Sequence, residues 1–177
     1  MEETDERFEP QKSSSGRDAD CKMKRILLTG MSGTGKSTLI QALQARGFRA
    51  VDIDQPGWSE YSATGDWVWR EERVAALLAN SEDDLLFLSG CAENQVNFYP
   101  QLDYIILLSA PAEVLIERIM TRTNNSYGKR PAELAEVLHN LETIEPLLRR
   151  GATHEIDTIP FLEAVLTAVL TAVDERP

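Results

Sequence analysis

The stretch Gly30-Met31-Ser32-Gly33-Thr34-Gly35-Lys36-Ser37, followed by Thr38, decides the fold that this sequence predicts. It fits G-x-x-x-x-G-K-[ST], the pattern of a phosphate-binding loop. The apolar run from Ile26 to Thr29 precedes it and is typical of a buried parallel strand. Apolar residues at helical spacing follow it. A strand, a glycine-rich turn and a helix predict a loop whose backbone N–H groups bind phosphate at the helix N-terminus.

Each position of this loop has an expected task. Lys36 is expected to reach the β- and γ-phosphates of ATP, and the Ser37 hydroxyl is expected to hold Mg²⁺. The remaining nucleotide contacts are expected from the rest of the loop: Gly30, Ser32, Gly33, Thr34, Gly35 and Thr38.

The composition narrows the class of protein. A chain of 177 residues with 42% hydrophobic residues suits one soluble domain, and no run of about 18 apolar residues predicts a membrane span. The net charge of −11 argues against binding to nucleic acid. Two cysteines and two histidines favour neither a disulfide framework nor a zinc site. We therefore expect a cytoplasmic monomer or homodimer that binds no nucleic acid or membrane.

The chain divides into a tail and one domain. Residues 1–22 are charged, contain serine and lack apolar periodicity, which predicts a disordered acidic tail. Residues 23–177 are expected to form a single domain, with a substrate insert at about 56–80 and a lid at about 122–131.

Two carboxylates end the predicted second strand, Phe48 to Asp54. Asp52 and Asp54 should share one face, because strand side chains alternate. They repel each other unless a cation or donor lies between them, and the carboxyl end of a parallel sheet is where ligands bind. One of them could therefore reach the water shell of Mg²⁺, and the other could deprotonate a hydroxyl. Two solvated aspartates are the alternative.

The insert holds all three tryptophans between residues 58 and 69. Asp66 is expected to cap a helix that runs to about Asn80, with Trp67 in the core. Arg70 could bind a carboxylate or phosphate, because a guanidinium does so bidentately. A surface arginine paired with a neighbouring glutamate is the alternative.

The third predicted strand, Leu85 to Ser89, ends without the usual metal-binding aspartate, so Asp52 or Asp54 is expected to support the metal instead. Gly90 follows it and would permit close approach of a ligand. Cys91 is expected to be a small buried filler.

A cationic segment follows the fourth strand, Asp103 to Ser109, and a helix that begins at Pro111. Its polar loop predicts a mobile lid that delivers positive charge to a transferring phosphoryl group, and its cations are Arg118, Arg122, Lys129 and Arg130. A basic surface loop is the alternative. One long helix from Ala132 to about Arg150, a fifth strand at His154 to Asp157 and a last helix from Pro160 to Val173 complete an alternating α/β pattern.

From about Lys24 to Val173 the chain resembles the nucleoside-monophosphate-kinase group of P-loop kinases, and shikimate kinases most. The loop at Gly30 to Thr38, Asp52-Ile53-Asp54, Trp69-Arg70 and the lid pattern from Arg122 to Pro131 carry this resemblance. It implies a three-layer α/β/α fold with a five-stranded parallel sheet in the order 2-3-1-4-5, a helical substrate insert and a lid.

The resemblance also implies a role for individual residues. Asp52 resembles the water-mediated Mg²⁺ partner, and Asp54 the acceptor-binding aspartate and presumed base. Arg70 resembles the arginine that binds the acid group of the acceptor, and Gly90 the glycine-rich turn that lines the acceptor site. Arg122 resembles the arginine that packs on adenine, and Arg130 the lid arginine that meets the phosphates. The segment from Asp157 to Pro160, with Thr158 and Pro160, resembles the loop beside the adenine.

The sequence departs from the shikimate kinase pattern at the acceptor site. Ile144 stands where that family has an arginine that holds the acceptor carboxylate. Such a loss removes a charge-assisted contact worth about 1.5–3 kcal/mol. The lid is one residue longer, and Gly90-Cys91-Ala92 replaces a triple-glycine turn.

We therefore expect a kinase that transfers the γ-phosphate of Mg-ATP to a small hydroxyl-bearing acceptor other than shikimate, with Lys36, Asp54 and Arg130 as catalytic residues. Two alternatives remain open. One is a nucleoside monophosphate kinase, in which Arg70 grips the acceptor phosphate. The other is a regulatory nucleotide-binding ATPase or switch, although no Asn-Lys-x-Asp guanine motif is present.

Overall fold

A five-stranded parallel sheet forms the centre of the computed structural model, which describes residues 23–79 and 84–174. Its strands are β1 (Lys24–Thr29), β2 (Arg49–Asp52), β5 (Leu85–Ser89), β6 (Tyr104–Ser109) and β7 (His154–Asp157). Their order is β2-β5-β1-β6-β7, and every neighbouring pair is parallel. Counted along the chain, this is the predicted order 2-3-1-4-5, so the predicted fold class is confirmed.

The helices cover both faces of this sheet. They are α1 (Lys36–Ala45), α2 (Glu71–Ala79), α3 (Ala112–Thr121), α4 (Pro131–Thr143), α5 (Glu145–Gly151) and α6 (Leu162–Asp174), with a 3₁₀ helix at Glu93–Gln101 that the sequence did not predict. Side chains alternate along a strand, so β1 contributes Ile26 and Leu28 to one core and Leu27 to the other. Helices α1 and α6 pack on the first core, and α2 and the 3₁₀ helix pack on the second.

The insert differs from the predicted helix. It contains an antiparallel hairpin of β3 (Ser59–Tyr61) and β4 (Trp67–Trp69), and its helix begins at Glu71 rather than after Asp66. The Asp66 N–H donates to Ser62 Oγ and the Ser62 N–H to the Asp66 carbonyl, so Asp66 closes the hairpin turn instead of capping a helix. Trp69 is buried and anchors the hairpin to the core.

The predicted helix from Ala132 to Arg150 is two helices, α4 and α5, and this prediction was wrong. Pro146 is the physical reason, because it lacks an N–H and its ring clashes with the carbonyl four residues earlier. The chain therefore breaks at Ile144, which separates α4 from α5.

The predicted tail at residues 1–22 lies outside the described residues, and a single domain over residues 23–177 stays a prediction. No helix in the described part of the chain is long and apolar enough to cross a membrane.

Candidate active site

The loop between β1 and α1 is held in shape by glycines and by internal hydrogen bonds. Gly33 and Gly35 have φ of +89° and +92°, a region that only glycine adopts easily. Thr34 is buried and its Oγ1 donates to the Met31 carbonyl at 2.9 Å. A Cβ on Gly30 would lie 2.3 Å from the Leu108 carbonyl oxygen, so no larger residue fits there. The result is a tight turn that opens directly onto the N-terminus of α1.

Lys36 folds over this loop. Its Nζ donates to the carbonyls of Gly30 at 2.7 Å and Met31 at 3.2 Å. The ammonium group is thus fixed beside the turn of backbone N–H groups in which an anion would bind. A bound phosphate would meet a preorganised positive charge there.

The next residue, Ser37, lies against the end of β2. Its Oγ donates to Asp52 Oδ2 at 2.6 Å, and Gln55 Nε2 donates to the same oxygen at 3.2 Å. Hydroxyl and carboxylate oxygens are the ligands that Mg²⁺ prefers, and it usually keeps several waters and binds substrate phosphates as well. This pair therefore fits a magnesium ion held mainly by a nucleotide. Among the described residues, no group of three or more His, Cys, Asp or Glu could hold a metal by itself.

Asp54 lies partly buried beside the same loop. The Cys91 N–H donates to its two carboxylate oxygens at 3.0 and 3.1 Å. Burial raises the pKa of the Asp54 carboxyl, while Lys36 and the Cys91 N–H lower it to a smaller extent. The charge of Asp52 raises the pKa of Asp54 a little further. The Trp69 indole lowers it least of all, and its N–H makes no hydrogen bond of normal geometry. Asp54 is therefore a carboxyl group with raised basicity, a property suited to accepting a proton.

A buried polar network supports the strand ends behind Asp54. Gln95 Oε1 accepts hydrogen bonds from Thr29 Oγ1 and the Ala92 N–H, both at 3.3 Å. Gln95 Nε2 donates to the Tyr99 hydroxyl at 2.8 Å. These bonds tie the 3₁₀ helix to β1 and fix the turn that carries Cys91. Apolar periodicity is absent from this segment, because only Gln95 and Phe98 are buried and the residues around them are mostly polar.

On the β7 side of the loop, Arg118 joins the loop to the segment after β7. Its guanidinium donates to Thr158 Oγ1 at 2.9 Å, to the Thr158 carbonyl at 2.5 Å and to the Gly33 carbonyl at 3.4 Å. Sequence reasoning counted Arg118 among the lid cations but gave it no site role. Its position one helical turn before Arg122 was an available signal, since residues four apart share a helix face.

Arg122 lies at the start of the predicted lid. It donates to the carbonyls of Asn125 at 3.1 Å and Tyr127 at 2.5 Å, and to Ser32 Oγ at 3.4 Å. Burial lowers the pKa of its guanidinium, which nevertheless remains charged at neutral pH. The guanidinium therefore connects the lid to the phosphate-binding loop.

A cavity of about 1460 Å³ runs between the loop, the hairpin, the lid and the junction of α4 and α5. The predicted site residues that line it are Gly30, Ser32, Gly33, Thr34, Gly35, Lys36, Ser37, Thr38, Asp54, Arg122, Thr158 and Pro160. Tyr61, Trp67, Glu93 and Tyr127 also line it and were not predicted. Trp67 was expected in the core. Its side chain is partly buried, packs against the core and also lines the cavity.

Four predicted site residues do not line this cavity: Asp52, Arg70, Gly90 and Arg130. Arg70 forms an ion pair with Glu60 at 2.8 Å. It follows the buried Trp69, and alternation of side chains turns it outward. The group that approaches Gly90 closely is the Asp54 side chain, where a ligand was expected. A Cβ added to Gly90 would lie 2.8 Å from Asp54 Oδ1.

Arg130 lies at the far end of the lid, with its side chain 83% exposed and 3.7 Å from Glu133. Gly128, two residues earlier, has a left-handed conformation with a φ of +87°. The structure therefore brings Arg122, and not Arg130, to the phosphate-binding loop.

Comparisons with known proteins agree with this geometry. The chain is 29% identical over 149 residues to "Putative adenylate kinase" of Archaeoglobus fulgidus, covering 81% of this chain and 79% of that protein. Shikimate kinase from Acinetobacter baumannii, solved in complex with shikimate, aligns with a TM-score of 0.62 at 19% identity, covering 85% and 93% of the two chains. A gluconokinase from Sinorhizobium meliloti 1021 aligns with a TM-score of 0.57 at 19% identity, covering 85% and 91%.

At these identities the solved structures support the fold alone, and that fold is the one found in P-loop kinases. The predicted resemblance is thus confirmed. A family model described as "AAA domain" matches residues 26–139, which include the phosphate-binding loop, Asp54, Arg118 and Arg122. Because this match spans well over half of the 177 residues, the chain belongs to the AAA domain family.

Proposed function

We propose that this protein is a kinase that transfers the γ-phosphate of Mg-ATP to a hydroxyl group of a small acceptor other than shikimate. The observation that supports this most directly is the partly buried Asp54 carboxylate, which lines the same cavity as Lys36 and the phosphate-binding loop. A protein that only binds a nucleotide has no use for a basic carboxylate at that point.

In the proposed reaction the acceptor oxygen forms a bond to the γ-phosphorus while the bond from that phosphorus to the β,γ-bridging oxygen breaks. The hydroxyl proton passes to the Asp54 carboxylate, and ADP leaves with the bridging oxygen. Lys36 stabilises charge on the phosphoryl oxygens. We assign the lid contribution to Arg122 rather than Arg130, because its guanidinium reaches Ser32.

Mg²⁺, when bound between Ser37, Asp52 and the nucleotide, would neutralise phosphate charge. Arg118 and Thr158 are proposed to form the wall beside the nucleotide base, with Pro160. The apolar side chain of Ile144 lines the cavity, which supports the exclusion of shikimate. A substrate carboxylate beside Ile144 would lose its solvent without gaining a cation.

A nucleoside monophosphate kinase is the second candidate, and the name of the Archaeoglobus fulgidus relative favours it. It requires a cation for the acceptor phosphate. Arg70, the residue that the sequence offered for this role, is paired with Glu60 outside the cavity, which argues against it. A regulatory switch, the third candidate, leaves Asp54 without a task.

To test this, purified protein is incubated with Mg-ATP and with separate pools of nucleoside monophosphates, polyols, sugars and aminoglycosides. The release of ADP is measured for each pool. We expect release that depends on a hydroxyl acceptor and not on a monophosphate. Nucleotide binding without release in any pool would favour the switch.

Two variants sharpen this test. Lys36→Ala should lower activity at least about 100-fold, since removal of one charge-stabilising donor has that effect. Asp54→Asn should lose turnover while it keeps its affinity for ATP, and unchanged turnover would refute the role of Asp54. Lys24→Ala, at the opposite end of β1, is the matched control and should keep full activity at a permissive temperature.

A further inference from the structure

The sheet order divides the cavity into two sides. Thr158 follows β7 and Arg118 binds it, so both lie on the β7 side of the phosphate-binding loop. Asp54 follows β2, and residues 91–99 follow β5, on the other side of the loop. We call this second part of the wall the acceptor side. It comprises Asp54, the segment from Cys91 to Tyr99, the hairpin, and the facing residues of the lid, α4 and α5.

Every cation of the cavity wall is bound to the phosphate-binding loop, the lid or the segment after β7. Among the described residues, the lysines, arginines and histidines that line the cavity are Lys36, Arg118 and Arg122. Lys36 binds the carbonyls of the loop, and Arg118 binds Thr158 and Gly33. Arg122 binds Ser32 and the lid backbone. All three are therefore placed to meet the nucleotide. Lys36 also lies near enough to Asp54 to lower the pKa of its carboxyl, but its ammonium group is held by the loop carbonyls.

Carboxylates line the acceptor side instead. Asp54 lies closest to the loop, Asp66 lies at the hairpin turn, and Glu93 begins the 3₁₀ helix. Glu136 of α4 lies beside Tyr127 of the lid. Burial is the largest cause that raises the pKa of Tyr127 to about 12, and the charge of Glu136 is the second. A carboxylate or phosphate on an acceptor would meet an excess of negative charge here, and an amine would be attracted. The net charge of −11 acts in the same direction during approach.

The rest of this wall is apolar and uncovered. Val96, Ile144 and Leu147 line the cavity and remain 57%, 37% and 54% exposed. The rings of Tyr61 and Trp67 meet edge to face at 4.9 Å and also line it. Exposed apolar side chains inside a cavity are typical of a binding surface for the apolar face of a ligand.

From this juxtaposition we infer the class of the acceptor. It is a hydroxyl compound that bears an amino group and a ring or apolar face, and it carries no carboxylate or phosphate. This inference rests on the proposed kinase function and restricts its substrate. Asp54 would take the hydroxyl proton, Glu93 or its neighbours would pair with the amine, and the apolar wall would cover the ring.

The test compares three six-membered carbocyclic polyols with Mg-ATP: 2-deoxystreptamine, which has amines, myo-inositol, which is neutral, and quinic acid, which has a carboxylate. Adenosine and AMP form a second pair that differs only in a phosphate. We expect kcat/KM for 2-deoxystreptamine to exceed that for quinic acid by at least about tenfold, and adenosine to exceed AMP. A preference for quinic acid or AMP would overturn the inference and leave the kinase function standing.

A variant pair provides a second measurement. Glu93→Gln should raise KM for 2-deoxystreptamine by about tenfold with kcat and the KM for ATP little changed, because one charge-assisted hydrogen bond to the amine is lost. The matched control is Glu113→Gln, an exposed carboxylate of α3 outside the cavity, which should change none of these. An unchanged KM in Glu93→Gln together with an unchanged preference for amino over neutral acceptors would refute the role of the acidic wall.

Calorimetry on the protein saturated with Mg-ADP separates the two proposals when no acceptor turns over. Absence of ADP release from every compound would refute the kinase function. If 2-deoxystreptamine binds and quinic acid does not, the charge preference of the acceptor side is still supported. If quinic acid binds and 2-deoxystreptamine does not, that preference is overturned.

Discussion

Asp54 shows how one side chain can be costly to the fold and useful to the site. Its carboxylate is partly buried, and the charge of Lys36 and one backbone N–H from Cys91 compensate in part for the lost solvent. Burial of a charge without a full partner destabilises the folded state. Such a residue persists where its chemistry is needed, which agrees with its proposed role as a base.

Asp54→Asn should therefore stabilise the protein at neutral pH. Burial raises the pKa of Asp54 above its ordinary value of 3.8, so the folded state holds the proton more tightly than the unfolded state. This contribution to stability is fully present below the unfolded pKa and is lost as pH rises through the folded pKa. At pH 7 the wild type bears the cost of the buried charge and the asparagine variant does not.

We expect the free energy of unfolding of Asp54→Asn to exceed that of the wild type at pH 7 by about 1 kcal/mol, measured by urea denaturation. The difference should shrink as pH falls below the raised pKa. Asp174→Asn, an exposed carboxylate near the end of α6, is the control and should show no gain. A less stable Asp54→Asn at pH 7 would show that Asp54 contributes more to structure than its burial costs.

Arg118 differs from the other lid cations because it binds two separate segments. Arg118→Ala removes its bonds to Thr158 and Gly33. We expect the dissociation constant of ATP to rise by about tenfold, the effect of one charge-assisted contact, with kcat changed much less. Glu117→Ala, an exposed neighbour on the same helix, should leave ATP binding unchanged. Equal losses in both variants would indicate a general effect on α3.

At the scale of elements, the turn between β1 and α1 depends on the space that β6 leaves. Gly30 lies against the Leu108 carbonyl, and it has a φ of +148°. Gly47, after α1, has a φ of +85° but no heavy atom within 4 Å of an added Cβ. An alanine at Gly30 would therefore add steric overlap to backbone strain, whereas an alanine at Gly47 would cause strain alone.

Gly30→Ala should lower the free energy of unfolding by at least about 1–3 kcal/mol, the cost of overpacking, and should abolish nucleotide binding. Gly47→Ala should cost about 1–2 kcal/mol from strain alone and should keep nucleotide binding. Thermal denaturation and ADP titration measure both. A Gly30→Ala variant that binds ADP normally would mean that the loop can shift away from β6.

The molecule as a whole brings together segments that are far apart in the chain. The cavity is lined by residues from 30 to 165, and the lid reaches the loop through Arg122. Ligand binding to the folded state alone stabilises it by mass action. Nucleotide binding should therefore be visible in the global stability.

We expect Mg-ADP at about 100 times its dissociation constant to stabilise the protein by about 2.7 kcal/mol, which is a rise in Tm of roughly 5–10 °C. Removal of Mg²⁺ with EDTA should reduce this rise, because the Ser37–Asp52 pair favours the metal complex. The Lys36→Ala variant should show a small shift or none. An equal shift with and without Mg²⁺ would argue against the proposed metal site.

The sequence alone determined the phosphate-binding loop and the alternation of strands and helices, because these depend on local patterns: apolar runs, glycine spacing and a Lys-Ser pair. The strand order came from the resemblance to P-loop kinases. The sequence also identified Asp52 and Asp54, since both lie at the carboxyl end of a strand whose position is set by the alternation of α and β elements. It missed the hairpin before Glu71, because Asp66 can cap a helix or close a turn and only the Ser62 partner selects the turn.

Only the tertiary structure decided which cations face the site. Arg70, Arg118, Arg122 and Arg130 look alike in sequence, yet their roles differ in space. Arg70 is turned outward by alternation at the end of a hairpin, Arg130 lies beyond the turn at Gly128, and Arg118 and Arg122 meet the loop. The direction of a long side chain depends on contacts between distant segments, and the charge of the acceptor side depends on that direction.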